Sequence, residues 1–407
     1  MSIGTKTIDE ALAKLTDMTG NMVAIGKDEH ERRIAKAQAL MRERGVKAIY
    51  LNAGTNLAYF TGTKWYQSER MVGAILPAVG ALEYIAPAFE ECTLKGFMVV
   101  EGAVNCWEEH ESPYQLFVDV VARMGIAPNP AAPPRLGICE STPFFIVDGI
   151  APLARGYALE NAKPVTAACR SRKSGAELAL MQRVKDMTLE VHKAAASILV
   201  AGITTVEVEE FIARAHRKVG APGSYFCIVL FGEPTAYPHG VSYPQTLKDG
   251  DMVLIDTGCQ VKGYISDITR SYVFGQASDR QRAVWNAEKA AQRAAFDAAQ
   301  LGVPCSAVDA AARASLEASG FGPGYKLPGL PHRTGHGIGM DIHEWPYLVG
   351  SDHTPLEEGM CFSNEPMICI PGEFGIRHED HFYMSASGPR WFTEPAHSID
   401  DPFGLHA

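Results

Sequence analysis

Long apolar runs are absent. No stretch of 18 consecutive apolar residues occurs in the chain, so no transmembrane helix is expected. The opening residues, MSIGTKTIDEALAKLTDMTG, carry no apolar block of the secretory kind. Positive charge is in deficit: 37 Lys and Arg against 47 Asp and Glu give a formal net charge of −10. That disfavours a general binder of phosphate backbones, which needs a basic face. Nine cysteines are scattered without one C-x-x-C pair. A thiolate zinc site lacks its spacing, and a disulfide framework does not suit a chain this long. The expectation is a cytoplasmic protein with no nucleic-acid and no membrane partner. What is present is ordinary globular composition, 46% hydrophobic and 21% charged, over 407 residues. That length favours two domains.

Residues 1–25 read as a helical extension, and residues 28–45 as a helix closing on Gly45. Strand-like runs follow at 47–53, 71–78, 81–88 and 135–141, bounded by Gly and Pro. Helices alternating with these strands suggest an α/β N-terminal domain. Residues 160–173 have no clear period and read as a linker. Beyond them, Ser174 with Glu177, Thr204 with Glu207 and Ser278 with Gln281 are capping-box patterns, and Ser306 with Asp309 is a fourth, less regular start. Strands are expected at 225–231, 252–258, 264–274, 360–370 and 376–384. This part reads as α+β, two helix pairs around an antiparallel sheet.

The chemistry sits in those strands. Asp256 and Asp267 interrupt strongly apolar runs, and Gly258 and Gly263 permit a hairpin that brings them together. Two carboxylates in a dry strand environment resist ionisation, and a divalent cation relieves that cost. Glu365 and Glu379 repeat the pattern. A buried carboxylate is rare unless paired or metal-bound. Histidines gather nearby: His239, then His332 and His336 in a Gly-rich segment, then His343. The glycines argue against a helix, so His332 and His336 need not both be ligands. Four carboxylates and one imidazole favour a hard ion such as manganese, with zinc, iron or cobalt also accommodated. Their charge suits two bridged ions, a site that activates water against a carbonyl.

The segments PHG (238–240), LIDTG (254–258), SDITR (266–270), TGHGIG (334–339), HE-x-P (343–346), NEP (364–366) and R-x-ED (377–380) follow one another in order. In this the chain resembles the pita-bread metallopeptidases. YFTGTKWYQSERMVGAILP and WEEHESPY are most similar to bacterial Xaa-Pro dipeptidases. The resemblance implies an α+β pita-bread (creatinase/aminopeptidase) catalytic domain over 166–407. A smaller α/β creatinase/prolidase-like domain over 1–165, extension included, precedes it. It also implies roles. Asp256 chelates one ion, Asp267 and Glu379 bridge, and His336 and Glu365 hold the second. Glu365 is also the general base. His239 and His343 contact the scissile carbonyl and shuttle protons. His332 and Arg377 stand on the substrate side, Arg377 also orienting Glu379. The substrate implied is a small peptide and the assembly a homodimer.

The chain departs from the family pattern at three points. Residues 344–364 hold no Arg or Lys to grip a dipeptide carboxylate, Met367 follows Glu-Pro where Gly is usual, and His378 precedes the last glutamate. The anchor is then sought in a histidine, in Arg70 or in a partner subunit. His378 either supports Glu379 or points out of the sheet. Other members of the fold give the alternatives: aminopeptidase P on longer peptides, ectoine hydrolase, or dimethylsulfoniopropionate lyase with Asp341 or Tyr225 as base. A catalytically silent binding protein is the remaining alternative.

Overall fold

The computed structural model describes residues 3–404 and divides the chain into two compact units, Ile25–Arg170 and a larger one formed by the first 24 residues with Ser171 onward. The opening segment therefore belongs to the larger unit and not to the one that follows it in sequence. Its helix α1 (Ile8–Ala13) buries Ala11 and Leu12 in a core shared with Val191, Phe211 and Val253. The chain crosses between units after residue 170, a few residues later than expected.

In the smaller unit, helices α2 (Lys27–Arg44), α3 (Thr55–Thr61), α4 (Glu91–Phe97), α5 (Pro113–Arg123), α6 (Phe144–Ile150) and α7 (Lys163–Arg170) accompany strands β1 (Val46–Asn52), β2 (Gly73–Pro77), β3 (Glu83–Pro87), β4 (Ala103–Trp107), β5 (Arg135–Ile138) and β6 (Ala158–Asn161). The sheet order is β4-β3-β2-β1-β5-β6, with antiparallel pairs around β2 and parallel pairs elsewhere. Residues 160–173, expected as a linker, hold the whole of α7. Val165 and Cys169, one helical turn apart, are both buried, and Pro164 sits in the first turn where its missing N–H costs nothing.

The larger unit continues with α8 (Gly175–Ser197) and α9 (Thr205–Lys218), then β7 (Phe226–Phe231), β8 (Met252–Gly258), β9 (Gln260–Val261), β10 (Tyr264–Ile265) and β11 (Ile268–Val273). A second helix pair, α10 (Asp279–Ala298) and α11 (Cys305–Ala318), leads into β12 (Gly335–Gly337), β13 (Glu344–Leu348), β14 (Cys361–Asn364), β15 (Met367–Ile370), β16 (Phe374–Arg377), β17 (Asp380–Ser385) and β18 (Gly388–Trp391). The capping boxes of α8, α9 and α10 are formed in full. The fourth start differs. Pro304 caps α11 without a side-chain bond, and Ser306 lies inside the helix with its hydroxyl 3.1 Å from His353 Nδ1.

An antiparallel sheet β11-β8-β7 packs against α8 and α9, and a five-stranded sheet β13-β12-β14-β17-β18 against α10 and α11. Phe362 and Phe382, fully buried with Val308 and Ala312, anchor the second layer. Burying each such ring stabilises the fold by about 1.5–3 kcal/mol. The three runs read as continuous strands are each broken in two: at 266–267, at 365–366 and at 378–379. Each break carries a carboxylate of interest.

Candidate metal centre

Strand periodicity decides where the carboxylates point. Along β8, Val253 and Ile255 belong to the core under α8 and α9, while Met252 and Leu254 belong to the opposite core. Asp256 shares parity with Leu254 and so faces away from α8 and α9. Thr269 of β11 pairs with Asp256, and Asp267, two residues earlier, lies diagonally across on the same face. The aspartates are thus diagonal neighbours and not directly opposed. Between them Lys262 and Gly263 turn the small β9–β10 hairpin with φ of 54° and 90°, the mirror-image turn such hairpins require. Gly258 lets the chain close there: a Cβ on it would lie 1.8 Å from the carbonyl oxygen of Ser266.

The second layer supplies the other three groups. Phe362 of β14 faces the core, so Ser363 and Glu365 face the site. The Ser363 hydroxyl donates to Glu365 Oε1 at 3.0 Å and accepts from the His336 amide at 2.8 Å. Gly335 allows this approach, since a Cβ there would lie 2.0 Å from the Ser363 carbonyl oxygen. His336 Nε2 lies 3.1 Å from Glu365 Oε1 and 3.7 Å from Asp267 Oδ2. In the break after β16, the Glu379 amide donates to the Thr269 carbonyl at 3.1 Å, and its Oε2 accepts from the Thr269 hydroxyl at 2.7 Å. One ligand atom each from Asp267, His336 and Glu379 all fall within 4.8 Å of one another.

Burial, then repulsion from Asp256 and Glu365, pushes the Asp267 carboxyl well above the usual carboxylate range. Glu379 is raised in the same way by burial and by Asp267. Burial also raises Asp256, against the pull of Arg377. Burial alone would raise Glu365 too, but the hydrogen bond and charge of His336, with His332 and Arg377, outweigh it and hold Glu365 down as a carboxylate. Asp256 Oδ1 and Glu379 Oε1 are buried with no protein donor. Orphaned buried oxygens beside an imidazole are what divalent cations satisfy, so the residues present fit such ions.

Arg377 does not lie open to a substrate. Its guanidinium is buried and spent on Asp256 Oδ2 at 2.5 Å, the Thr269 hydroxyl at 3.1 Å and the Pro238 carbonyl at 3.1 Å. It therefore joins Asp256 to the loop bearing His239, which is exposed. His332 is half-buried, with Nδ1 2.7 Å from the Arg333 carbonyl oxygen and a buried, unpartnered Nε2. The His343 ring is open to solvent and packs edge-on against His336 with ring centres 4.3 Å apart. Partial burial, then His336 and Arg333, lowers His343 to about 4. His378 shares parity with Phe382 and faces α10, where Nε2 is 3.2 Å from Glu288 and the ring 4.5 Å from that of Trp285. It points away from the site, into the core.

Two groups escaped the sequence reading. Asp309 of α11 accepts from the Thr334 amide and hydroxyl at 3.2 and 2.7 Å, fixing the start of the Gly-rich strand. Arg333, between two residues already singled out, stacks over Tyr347 at 4.3 Å, and its guanidinium makes no hydrogen bond or ion pair among the described residues. Its place inside TGHGIG's approach was the available signal.

A buried cluster of carboxylates with one imidazole, rimmed by further histidines, is the make-up of a hydrolytic metal centre. Comparison with known proteins agrees. Residues 179–386 match the model of metallopeptidase family M24, and residues 33–172 that of the creatinase/prolidase N-terminal domain. The chain is 33% identical over 362 residues to a probable dipeptidase PepE of Mycobacterium tuberculosis, covering 88% of this chain and 93% of that one. It is 38% identical over 176 residues to an Xaa-Pro dipeptidase of Lactobacillus delbrueckii subsp. lactis, 43% of this chain and 46% of that one. The crystal structure of a prolidase from Thermococcus sibiricus superposes with a TM-score of 0.80 at 30% identity, covering 90% of this chain and 97% of that one. The chain belongs to metallopeptidase family M24, with the pita-bread fold, and is a peptidase. No helix among the described residues is long and apolar enough to cross a membrane.

Proposed function

We propose that this chain hydrolyses Xaa-Pro dipeptides. The observation that carries the reading is the gathering of one ligand atom each from Asp267, His336 and Glu379 within 4.8 Å, with Glu365 3.1 Å from His336 and orphaned buried oxygens on Asp256 and Glu379. Those five side chains would hold two divalent ions, manganese first, which when bound polarise a carbonyl and lower the pKa of water. An Xaa-Pro bond has no N–H for a strand-like groove to grip, so recognition falls on the two ends of the dipeptide.

Glu365, ionised and steadied by the Ser363 hydroxyl, accepts the proton of the attacking water and returns it to the prolyl nitrogen. His343 and His239, both open to solvent, serve the carbonyl oxygen as negative charge develops there. Arg377 keeps Asp256 oriented and fixes the Pro238 carbonyl beside His239. Arg333 takes the carboxylate of the dipeptide, a role its free guanidinium and its stacking on Tyr347 both suit. His332 shapes the wall between Arg333 and His336. The catalytic domain assignment of residues 166–407 and a homodimeric assembly are part of this reading.

The test is release of free proline from Met-Pro by metal-stripped protein, with and without added manganese. Strong manganese-dependent release is expected, with little from Met-Pro extended by a third residue. Preference for the tripeptide would make the enzyme an aminopeptidase on longer peptides. No release from either, with metal bound, would refute the Xaa-Pro reading.

A further inference from the structure

Six residues, 338–343, loop out between β12 and β13, where the pairing jumps from His336 with Tyr347 to Gly337 with Glu344. His343 ends this loop. Nothing in the loop's own sequence makes it stiff, yet its ring sits edge-on to His336. The neighbouring carboxylate supplies the stiffness. Glu344 Oε1 accepts the amides of Met340 and Asp341 at 3.0 and 3.1 Å, folding the loop back on its own end. Glu344 Oε2 accepts from Lys173 Nζ at 3.1 Å, and both side chains are buried, 5% and 2% exposed. Lys173 is itself pinned, its amide donating to the Gly359 carbonyl at 2.8 Å. The loop's other side is tied by the Ile265 amide to the Gly339 carbonyl at 3.0 Å, two residues from Asp267.

We propose that Glu344, locked by Lys173, is a positioning residue that holds His343 over the metal-side imidazole. A buried ion pair is weak evidence for stability, because desolvation offsets its attraction. Its worth here is geometric: one carboxylate oxygen is fixed by an ammonium so that the other can hold two loop amides in place. A misplacement of about 1 Å in a group serving the reacting carbonyl costs on the order of a hundredfold in rate. The inference rests on the assignment of His343 to the reacting carbonyl, so the experiment separates the two.

The measurement is a double-mutant cycle on kcat for Met-Pro with Glu344→Gln and His343→Ala, each variant checked by thermal melting and by manganese titration calorimetry. His343→Ala alone is expected to lower kcat. Glu344→Gln is expected to lower kcat roughly 10- to 100-fold, with KM and manganese affinity within about twofold of wild type. On the His343→Ala background the same substitution is expected to change kcat less than about twofold, because its target is gone. Lys173→Met should reproduce the Glu344→Gln pattern; if it does not fold, the glutamine variant carries the test. Multiplying losses in the double variant, or full turnover by Glu344→Gln, would overturn the positioning role. Wild-type turnover by His343→Ala would overturn the reading of His343 and the positioning role with it.

Discussion

Asp267→Asn should push two properties of the protein in opposite directions. In the metal-free chain Asp267 is buried and crowded by Asp256 and Glu365, and its carboxyl is driven well above its ordinary value. Its partner carboxylate on Glu379 offers a ligand atom within 4.8 Å. Two charges at that separation repel by about 3.5 kcal/mol at an effective dielectric of 20. Proton uptake relieves part of this, so the folded state binds more protons than the unfolded one. Metal-free stability must then fall as pH rises above the unfolded carboxylate range. Asparagine keeps the shape, cannot ionise and can donate to Asp256. The metal-free variant should therefore gain roughly 1–2 kcal/mol at pH 8, a rise of about 2–8 °C in melting temperature. With manganese the order reverses. Wild type should gain about 2.7 kcal/mol at a hundredfold excess over Kd, and the variant under about 1 kcal/mol. The assay is thermal melting of chelator-treated protein with and without manganese. A variant less stable than wild type without metal, or one that keeps the full manganese shift, would refute the crowding argument.

Glu365→Gln should abolish proline release and weaken manganese binding by calorimetry; near-normal turnover would remove Glu365 from the mechanism. Arg333→Met should raise KM for Met-Pro about tenfold or more with little change in kcat, while leaving Met-Pro-amide hydrolysis unchanged; equal losses on both substrates would exclude a carboxylate contact. Burial lowers His216 to about 4, so the unfolded state takes up a proton first as pH falls below 6.5, and stability is lost between there and pH 4. By pH 5 that loss is on the order of 2 kcal/mol. In urea unfolding of metal-free protein, the gap between wild type and His216→Gln should shrink by that amount from pH 7 to pH 5, and an unchanged gap would contradict it.

The four carboxylates proposed as ligands stood out because a carboxylate in a run such as Val253-Leu254-Ile255-Asp256 conflicts with its own surroundings, and the conflict is visible without coordinates. The capping boxes were legible for a similar reason, being local patterns with local bonds. What was not legible depended on contacts distant in sequence. The breaks beside Asp267, Glu365 and Glu379 arise from bonds to Cys259, Thr334 and Thr269. The helix at Lys163–Arg170 has too few residues to show a period. Arg377 read as a substrate contact because its neighbours are functional, yet its partners Asp256 and Pro238 lie more than a hundred residues away. Arg333 was passed over because, with no Arg or Lys in residues 344–364, the anchor was sought in a histidine, in Arg70 or in a partner subunit. The direction of His378 follows from parity only once the position of the break is known.

Three of the five proposed ligands, Asp267, Glu365 and Glu379, stand where the strand ladders stop, at 266–267, 365–366 and 378–379. The ladder bonds of the named strands belong to the residues on either side, Glu365 and Glu379 adding one amide bond each. Chemistry and architecture are therefore written in different letters of the same chain. Under the proposed roles, a descendant without Asp267, Glu365 or Glu379 would lose its reaction while inheriting the scaffold, free to acquire another use for the cleft. The exceptions are His336, inside β12, and Asp256, embedded in β8 and tied to Arg377. In a lineage drifting away from peptide hydrolysis, the ligands in the breaks should be the first to go and the Asp256–Arg377 pair the last.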